Sequence, residues 1–164
     1  MRAVIQRVSR SSVSVDNNTT GSTERGLMIL LGVTHDDEQQ DIDYIVDKTV
    51  NMRLFPHEGE EHGFERSVKE IGGTVLLVSQ FTLYASTRKG RRPSFTAAAP
   101  GEVSGPMFDR VVEAFRDRGV GAETGVFGAY MQVELVNDGP VTIMLDSQER
   151  NTPRRAADQG RTAK

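Results

Sequence analysis

Two residue types are missing from this sequence, because its 164 residues include no cysteine and no tryptophan. The absence of cysteine excludes disulfides, thiolate zinc sites and a cysteine nucleophile. Long apolar runs are missing too. The longest, residues 27–31, is far shorter than the roughly 20 residues of a membrane-spanning helix, and the charged N-terminus lacks the apolar core of a signal peptide. We therefore expect a protein of the cytoplasm.

Charge is distributed unevenly along the chain. The net charge is −3, but residues 149–164 hold five basic and two acidic residues and carry +3, which leaves −6 on residues 1–148. Length and charge predict a single domain over residues 1–148, followed by a polar basic tail over 149–164 that we expect to be disordered. Four cations surround Gly90 within the acidic domain, namely Arg88, Lys89, Arg91 and Arg92. They fit either an ordinary solvated loop or a local phosphate-binding site.

Hydrophobic periodicity predicts an α/β fold with two main helices and a mixed, largely antiparallel sheet. The first helix is expected to be capped by Asp36 or Asp37, and the second to begin at Ser104. Residues 57–73 are predicted to form an irregular connecting segment, and residues 84–101 a long loop. Of the six or seven predicted strands, the clearest lie at residues 2–8, 12–16, 26–34, 74–80, 130–136 and 141–145.

The candidate for catalysis is the stretch Ser79-Gln80-Phe81-Thr82, which ends a buried strand. Its hydroxyls and backbone amides could polarise a carbonyl and stabilise a developing oxyanion without a side-chain base. Such a site suits an activated ester better than an amide. The three histidines lack the spacing of a zinc pair, so we expect no metal and no other cofactor. The same residues also fit a simple strand exit whose hydroxyls cap backbone groups.

A second polar stretch, Asn137-Asp138-Gly139-Pro140, separates the last two predicted strands. Asn-Asp-Gly is typical of a hairpin turn, and Pro140 would then start the last strand. Only about 5–6% of X-Pro bonds in folded proteins are cis. The residues alone therefore give no reason to predict a cis bond here.

Five segments in this order carry a family resemblance: residues 1–8, 26–33, 79–84, 92–95 and 137–142. With them, the chain from Met1 to about Ser147 resembles the D-aminoacyl-tRNA deacylases, proofreading enzymes that remove D-amino acids from charged tRNA. The resemblance implies the fold of that family, a homodimer with two active sites at its interface, and charged tRNA as the substrate. It also implies that many D side chains, and glycine mischarged on alanine tRNA, are accepted.

The resemblance further implies roles for individual residues. In the family, the Gly-Pro bond is cis and enters the partner's site, where it holds the α-amino group and leaves no room for an L side chain. Carried over to this chain, the roles fall on Ser79, Gln80, Phe81 and Thr82 for catalysis, on Gly139, Pro140 and Arg7 for substrate binding, and on Arg88, Lys89, Arg91 and Arg92 for tRNA binding. Thr82 would be either a nucleophile or a positioning group.

Two other functions are compatible with the residues. The basic tail and the loop around Gly90 are also typical of a non-catalytic nucleic-acid-binding module, although the acidic domain and the shortage of aromatic residues argue against a stacking platform. The other function is that of a less selective small esterase on a similar scaffold.

Overall fold

A six-stranded mixed sheet lies at the centre of the computed structural model, which describes residues 1–152. Two helices pack against it, and a separate two-stranded sheet adds to the fold. The elements are β1 (Arg2–Val15), β2 (Asn18–Thr23), β3 (Gly26–Gly32), α1 (Gln39–Asn51), β4 (Arg53–Phe55), β5 (Arg66–Ser67), β6 (Thr74–Ser79), α2 (Gly101–Asp117), β7 (Gly121–Thr124) and β8 (Gln132–Asp146), with 3-10 turns at Phe81–Tyr84 and Ser147–Asn151. The predicted α/β class with two main helices is confirmed.

The sheet is organised around β1. This long strand pairs antiparallel with β3 through its first half and with β2 through its second half, and it also pairs antiparallel with β8 along its length. The β3–β6 and β6–β7 pairs are parallel, so the predicted mixed, largely antiparallel sheet is confirmed. β2 also approaches β7, because a Cβ added to Gly21 would lie 2.4 Å from the carbonyl oxygen of Thr124. The sheet therefore curls almost into a barrel.

Apolar side chains form two cores. The larger core joins sheet residues such as Ile29 and Leu77 to helix residues such as Phe115. The smaller core contains Val13 and Leu76 and lies on the opposite face of the sheet. Neighbouring residues of β6 therefore contribute to different cores. The continuous apolar runs of β3 and β6 follow from this burial on both faces.

The first helix begins after the residues predicted to cap it. Glu38 occupies the cap position of α1 and forms a capping box with Asp41, so the predicted caps Asp36 and Asp37 are wrong. The carboxylate of Asp37 instead pairs with the N-terminal amine of Met1. Three acidic residues follow one another at positions 36–38, and the sequence pattern alone does not indicate which of them caps the helix.

The second helix begins before its predicted start. α2 starts at Gly101, after Pro100 in the cap position, so the predicted start at Ser104 is wrong. The hydroxyl of Ser104 donates to the carbonyl oxygen of Pro100 within the first turn. Gly119 follows the end of the helix with a φ of +78°.

The strand predictions need three corrections. Residues 2–8 and 12–16 form one strand, β1, and residues 130–136 and 141–145 lie mostly in one strand, β8. The stretch 137–140 is therefore not a hairpin turn, because Asn137 pairs with Val8 and residues 138–141 form a bulge within β8. Four strands were not predicted. β4, β5 and β7 have only two to four residues each and no apolar alternation, and β2 consists of polar residues and glycine alone.

The C-terminal turn closes the described part of the chain. Arg150, in the 3-10 turn Ser147–Asn151, pairs with Asp41 of α1. The predicted domain end at residue 148 thus falls inside this turn, and residues 153–164 of the predicted tail lie outside the described residues. Neither helix in residues 1–152 is long and apolar enough to cross a membrane.

Candidate active site

The Ser-Gln-Phe-Thr stretch lies where β6 ends and the 3-10 turn Phe81–Tyr84 begins. The backbone N–H of Gln80 donates to the carbonyl oxygen of Leu31 at 2.7 Å. The next two N–H groups, those of Phe81 and Thr82, have no acceptor among the described residues, as is usual at the start of a helical turn. Adjacent free donors of this kind can stabilise a developing oxyanion.

The side chain of Thr82 is exposed, and its hydroxyl accepts a hydrogen bond from the amide of Gln80. The three histidines are engaged or placed elsewhere. His35 contacts the carbonyl oxygen of Thr96 at 3.0 Å, and the other two histidines lie in residues 56–65 between β4 and β5. Within residues 1–152, the Thr82 hydroxyl therefore has no hydrogen bond to a histidine or a carboxylate.

A cavity of about 220 Å³ opens beside this turn. Most of its lining is apolar and includes the rings of Phe108 and Phe127. The ring of Phe127 packs over α2, where a Cβ added to Gly105 would lie 3.4 Å from it. Such a cavity suits an apolar part of a ligand. Phe127 was not predicted from the sequence, where its one local signal is its position between Gly125 and Gly128.

The four candidate tRNA-binding cations lie on one exposed loop: Arg88, Lys89, Arg91 and Arg92. Ser86 and Ser94 close this loop by exchanging two backbone hydrogen bonds, of 2.7 and 2.9 Å. Its first two cations line a groove of about 570 Å³. At the base of the loop, the rings of Phe95 and Phe81 meet edge to face with centroids 5.0 Å apart. The cationic loop is therefore anchored directly on the turn that carries the free amides.

The Gly-Pro loop, residues 138–141, bulges out of β8. On the β1 side only Arg7 lies opposite these four residues. The Gly139–Pro140 bond is cis, as the resemblance implied, and both residues are exposed. The side-chain oxygen of Asn137 accepts a hydrogen bond from the N–H of Val141 at 2.8 Å, which closes the loop at its base.

Arg7 is only 3% exposed and contacts the Gly-Pro loop directly. Its Nε donates to the carbonyl oxygen of Asp138 at 3.0 Å and pairs with the Asp138 carboxylate at 3.2 Å. Its Nη1 donates to the carbonyl oxygens of Leu54 and Gly63. The guanidinium also lies 5.8 Å from the ring centroid of Phe64. These are the contacts expected of a residue that fixes the orientation of the loop.

Arg2 contacts the other end of the 3-10 turn, and sequence reasoning missed it. Its Nη1 donates to the carbonyl oxygen of Leu83 at 3.1 Å, and its Nε pairs with Asp146 at 2.9 Å. The guanidinium lies 4.7 Å from the ring centroid of Tyr84. Burial raises the pKa of Tyr84 well above its ordinary value, and the nearby carboxylates of Asp37 and Asp146 add to the shift. The phenol beneath Arg2 therefore stays neutral.

The candidate site has two halves, the turn after β6 that carries Ser79–Thr82 and the Gly-Pro loop. A single chain does not bring these two halves together. Ala3 of β1 is in register with Leu31, and Leu31 with Ser79. The Gly-Pro loop instead lies opposite Arg7. Along β1, the four residues from Ala3 to Arg7 span about 13 Å. Across the sheet, the two strand spacings from β1 to β6 add about 9–10 Å perpendicular to the strands. Gly139–Pro140 therefore lies well away from Ser79 of its own chain.

Known proteins resemble the chain over most of its length. The family described as D-Tyr-tRNA(Tyr) deacylase matches residues 4–146. The chain is 52% identical to the D-aminoacyl-tRNA deacylase of Clostridioides difficile (strain 630) over 149 residues, which cover 91% of this chain and 99% of that protein. It is 53% identical to the D-aminoacyl-tRNA deacylase of Chloroflexus aurantiacus (strain ATCC 29364 / DSM 637 / Y-400-fl) over 157 residues, which cover 95% and 96%.

Two solved structures share the fold. One, described as c-Myc DNA Unwinding Element Binding Protein, has a TM-score of 0.82 at 39% identity and covers 89% of this chain and 98% of its own. The other, a probable eukaryotic D-amino acid tRNA deacylase, has a TM-score of 0.73, covers 88% and 97%, and at 20% identity shows the fold alone. From the family match and the sequence relatives, the chain belongs to the D-aminoacyl-tRNA deacylase family.

Proposed function

We propose that this chain applies the activity of its family, hydrolysis of the ester bond of D-aminoacyl-tRNA, at a site shared between two copies of the chain. One copy supplies the turn after β6, and the other supplies Gly139–Pro140. The observation that carries the proposal is the position of the exposed Gly-Pro loop, which is too far from its own turn to act there. In a homodimer with two such sites, the Gly-Pro loop of each chain contacts the turn after β6 of its partner.

Exclusion of the L side chain explains chiral selectivity at such a site. The carbonyl groups of the Gly-Pro loop would hold the α-ammonium group, and the loop would fill the space that an L side chain needs. Selectivity then depends on a clash and not on recognition of the D side chain. Many D-aminoacyl esters are therefore substrates, and so are glycyl esters on tRNA, including glycine mischarged on alanine tRNA.

The free N–H groups of Phe81 and Thr82 would accept the developing oxyanion of the ester. Thr82 acts as a positioning group, because its hydroxyl has no hydrogen bond to a base among the described residues. The free 2′-hydroxyl of the terminal ribose would assist the reaction. We expect Thr82→Ala to slow deacylation without abolishing it. A near-total loss together with a trapped acyl-enzyme would identify Thr82 as a nucleophile.

The cationic loop at residues 85–95 would bind phosphates near the 3′ end of the tRNA, because its base contacts Phe81 of the turn. Binding of this kind is local and does not need a broadly basic surface. A substrate that is charged tRNA also supports a location in the cytoplasm, where charged tRNA is used in translation.

The activity is tested by parallel deacylation of D-tyrosyl-tRNA and L-tyrosyl-tRNA, with glycyl-tRNA as a third substrate. We expect rapid loss of the D ester, loss of the glycyl ester, and an intact L ester. An untouched glycyl ester would contradict exclusion by clash. Equal loss of the D and L esters would indicate an unselective esterase, and loss of neither would favour the non-catalytic nucleic-acid-binding module.

The shared site is tested by mixing two variants of greatly reduced activity. Phe81→Pro removes one free N–H at a helix position where proline is tolerated, and Gly139→Ala alters the loop. In a mixed dimer, one site combines the intact turn of one chain with the intact loop of the other. We expect unfolding and refolding of the mixture to restore activity. No recovery despite formation of mixed dimers would show that each chain uses its own loop.

A further inference from the structure

The buried guanidinium of Arg7 is also supported by the connection between β4 and β5, residues 56–65. The carbonyl oxygen of Gly63 accepts a hydrogen bond from its Nη1 at 3.3 Å, and the Phe64 ring lies 5.8 Å from the guanidinium carbon. We propose that Gly63 and Phe64 are positioning residues that set the selectivity for D over L esters through Arg7. The proposal rests on the proposed function of Gly139–Pro140.

The geometry of Arg7 links this connection to the Gly-Pro loop. Its Nε donates to the carbonyl oxygen of Asp138 at 3.0 Å. Its Nη2 lies 3.1 Å from the position of a Cβ added to Gly139. The guanidinium is planar and rigid, so a rotation that follows a change at Gly63 or Phe64 also moves the atoms facing Asp138 and Gly139. The clash between the Gly-Pro loop and an L side chain depends on the position of the loop, which these contacts of about 3 Å fix.

The position of Phe64 does not fit an ordinary core residue. Its side chain is 57% exposed and belongs to neither of the two cores. An exposed aromatic ring on a polar segment loses little packing when it is removed, so its truncation leaves the fold intact. The contact that Phe64 does make is with Arg7.

The carboxylate of Glu65 fills the space beside the α-carbon of Gly63. Gly63 has a φ of +149°, and a Cβ added to it would lie 2.0 Å from Oε2 of Glu65. That carboxylate oxygen is buried and has no hydrogen-bond partner among the described residues. A side chain at residue 63 must therefore displace either the carboxylate or the backbone whose carbonyl faces Arg7.

The test compares Phe64→Ala with Phe64→Tyr, using kcat/KM for D-tyrosyl-tRNA and L-tyrosyl-tRNA. We expect Phe64→Ala to reduce the D-to-L ratio about two- to fivefold, the size of a cation–π contact, mainly through faster loss of the L ester. Phe64→Tyr keeps the ring and restores the ratio. An unchanged ratio in Phe64→Ala, or an equal reduction in Phe64→Tyr, would overturn the role of the ring.

The backbone part of the proposal is tested with two glycines of the same segment. Gly63→Ala is expected to reduce the D-to-L ratio. Gly59→Ala is the matched control, because Gly59 has a φ of +85° but no atom within 4 Å of an added Cβ. Equal effects of the two would overturn a specific role for Gly63.

Sedimentation of the same variants measures whether they remain dimers. A loss of selectivity that accompanies loss of the dimer would make these residues interface contacts and would overturn their role through Arg7. A wild-type protein without D selectivity would instead refute the proposed function.

Discussion

Two arginines of β1, Arg2 and Arg7, contact the two halves of the proposed site in similar ways but in different surroundings. Each donates to a backbone carbonyl of one half and pairs with an aspartate of β8, Arg2 with Asp146 at 2.9 Å and Arg7 with Asp138 at 3.2 Å. The Arg2 side chain is 41% exposed, whereas that of Arg7 is 4% exposed. Water screens an exposed pair, and a buried charge depends on its partners far more.

The segments that the two arginines support also differ. The 3-10 turn Phe81–Tyr84 and its flanks have backbone hydrogen bonds of their own, of 3.3 and 3.0 Å. The Gly-Pro loop is held by the side chains of Asn137 and Arg7. A regular turn is specified locally, whereas the loop takes its shape from side chains outside it. Changes at the Gly-Pro loop should therefore have larger effects than changes at the turn.

The largest effect is expected for Gly139→Ala. Gly139 has a φ of +132°, and an added Cβ would lie 3.0 Å from the backbone nitrogen of Val141 and 3.1 Å from Nη2 of Arg7. The loop must shift, and a misplacement of about 1 Å can cost about 100-fold in rate. We expect about that loss in kcat/KM for D-tyrosyl-tRNA. The control is Gly72→Ala, because Gly72 has a φ of +64° and open space. An equal loss there would point to general backbone strain.

Lysine variants compare the two arginines directly. Lysine keeps the charge but cannot reproduce the planar fork that contacts several carbonyl oxygens at once. We expect Arg7→Lys to lower the D-to-L ratio about tenfold or more, as loss of charged hydrogen bonds predicts. Arg2→Lys should leave the same ratio unchanged, because Arg2 contacts the turn and not the Gly-Pro loop. If both variants changed the ratio equally, burial would not be what distinguishes the two arginines.

Much of the fold could be predicted because its main elements have strong apolar patterns. The runs in β3 and β6 and the stripes of both helices bury their own apolar residues, so their sequences carry the signal. β7 is different, since its residues Gly121–Thr124 become a strand by pairing with β6. The cap of α1 depended equally on tertiary contacts, because Asp37 meets the N-terminal amine instead of the helix.

The candidate site could be predicted only in part, for a similar reason. The stretch Ser79–Thr82 and the cationic loop were recognisable from residue types and their place in the pattern. The bulge at residues 138–141 was not, because Asn-Asp-Gly-Pro fits a hairpin equally well. The cis bond at Gly139–Pro140 was indicated only by the family resemblance. Arg2 and Phe64 have no local signal, because their contacts join segments that are distant in sequence.

A moderate effect on rate, without an effect on selectivity, is expected for Arg2→Ala. The exposed ion pair and the contact with the Tyr84 ring together predict a loss of about two- to fivefold in kcat for D-tyrosyl-tRNA. The D-to-L ratio should stay unchanged, because Arg2 contacts the turn and not the Gly-Pro loop. Asp146→Asn is a milder comparison that keeps an acceptor but removes the charge. A reduced D-to-L ratio in Arg2→Ala would contradict this division of roles.

The smallest effect on the chemical step is expected at the cationic loop. Arg88, Lys89, Arg91 and Arg92 make no ion pair within residues 1–152, unlike Arg2 and Arg7, so their charges are available to phosphate. The double variant Arg88→Gln, Lys89→Gln should leave kcat at saturating tRNA little changed. It should weaken tRNA binding and reduce the slope of log K against log salt by about 0.7 for each lost contact with single-stranded phosphate.

The control for that measurement is Lys69→Gln, which removes an exposed cation from a different segment, after β5. A change in salt slope confined to the loop variant would locate the tRNA backbone at the loop. Equal slopes for the two variants would mean that general charge attracts the tRNA. Only the first result would allow the edge contact between Phe95 and Phe81 to align the bound 3′ end with the free amides of the turn.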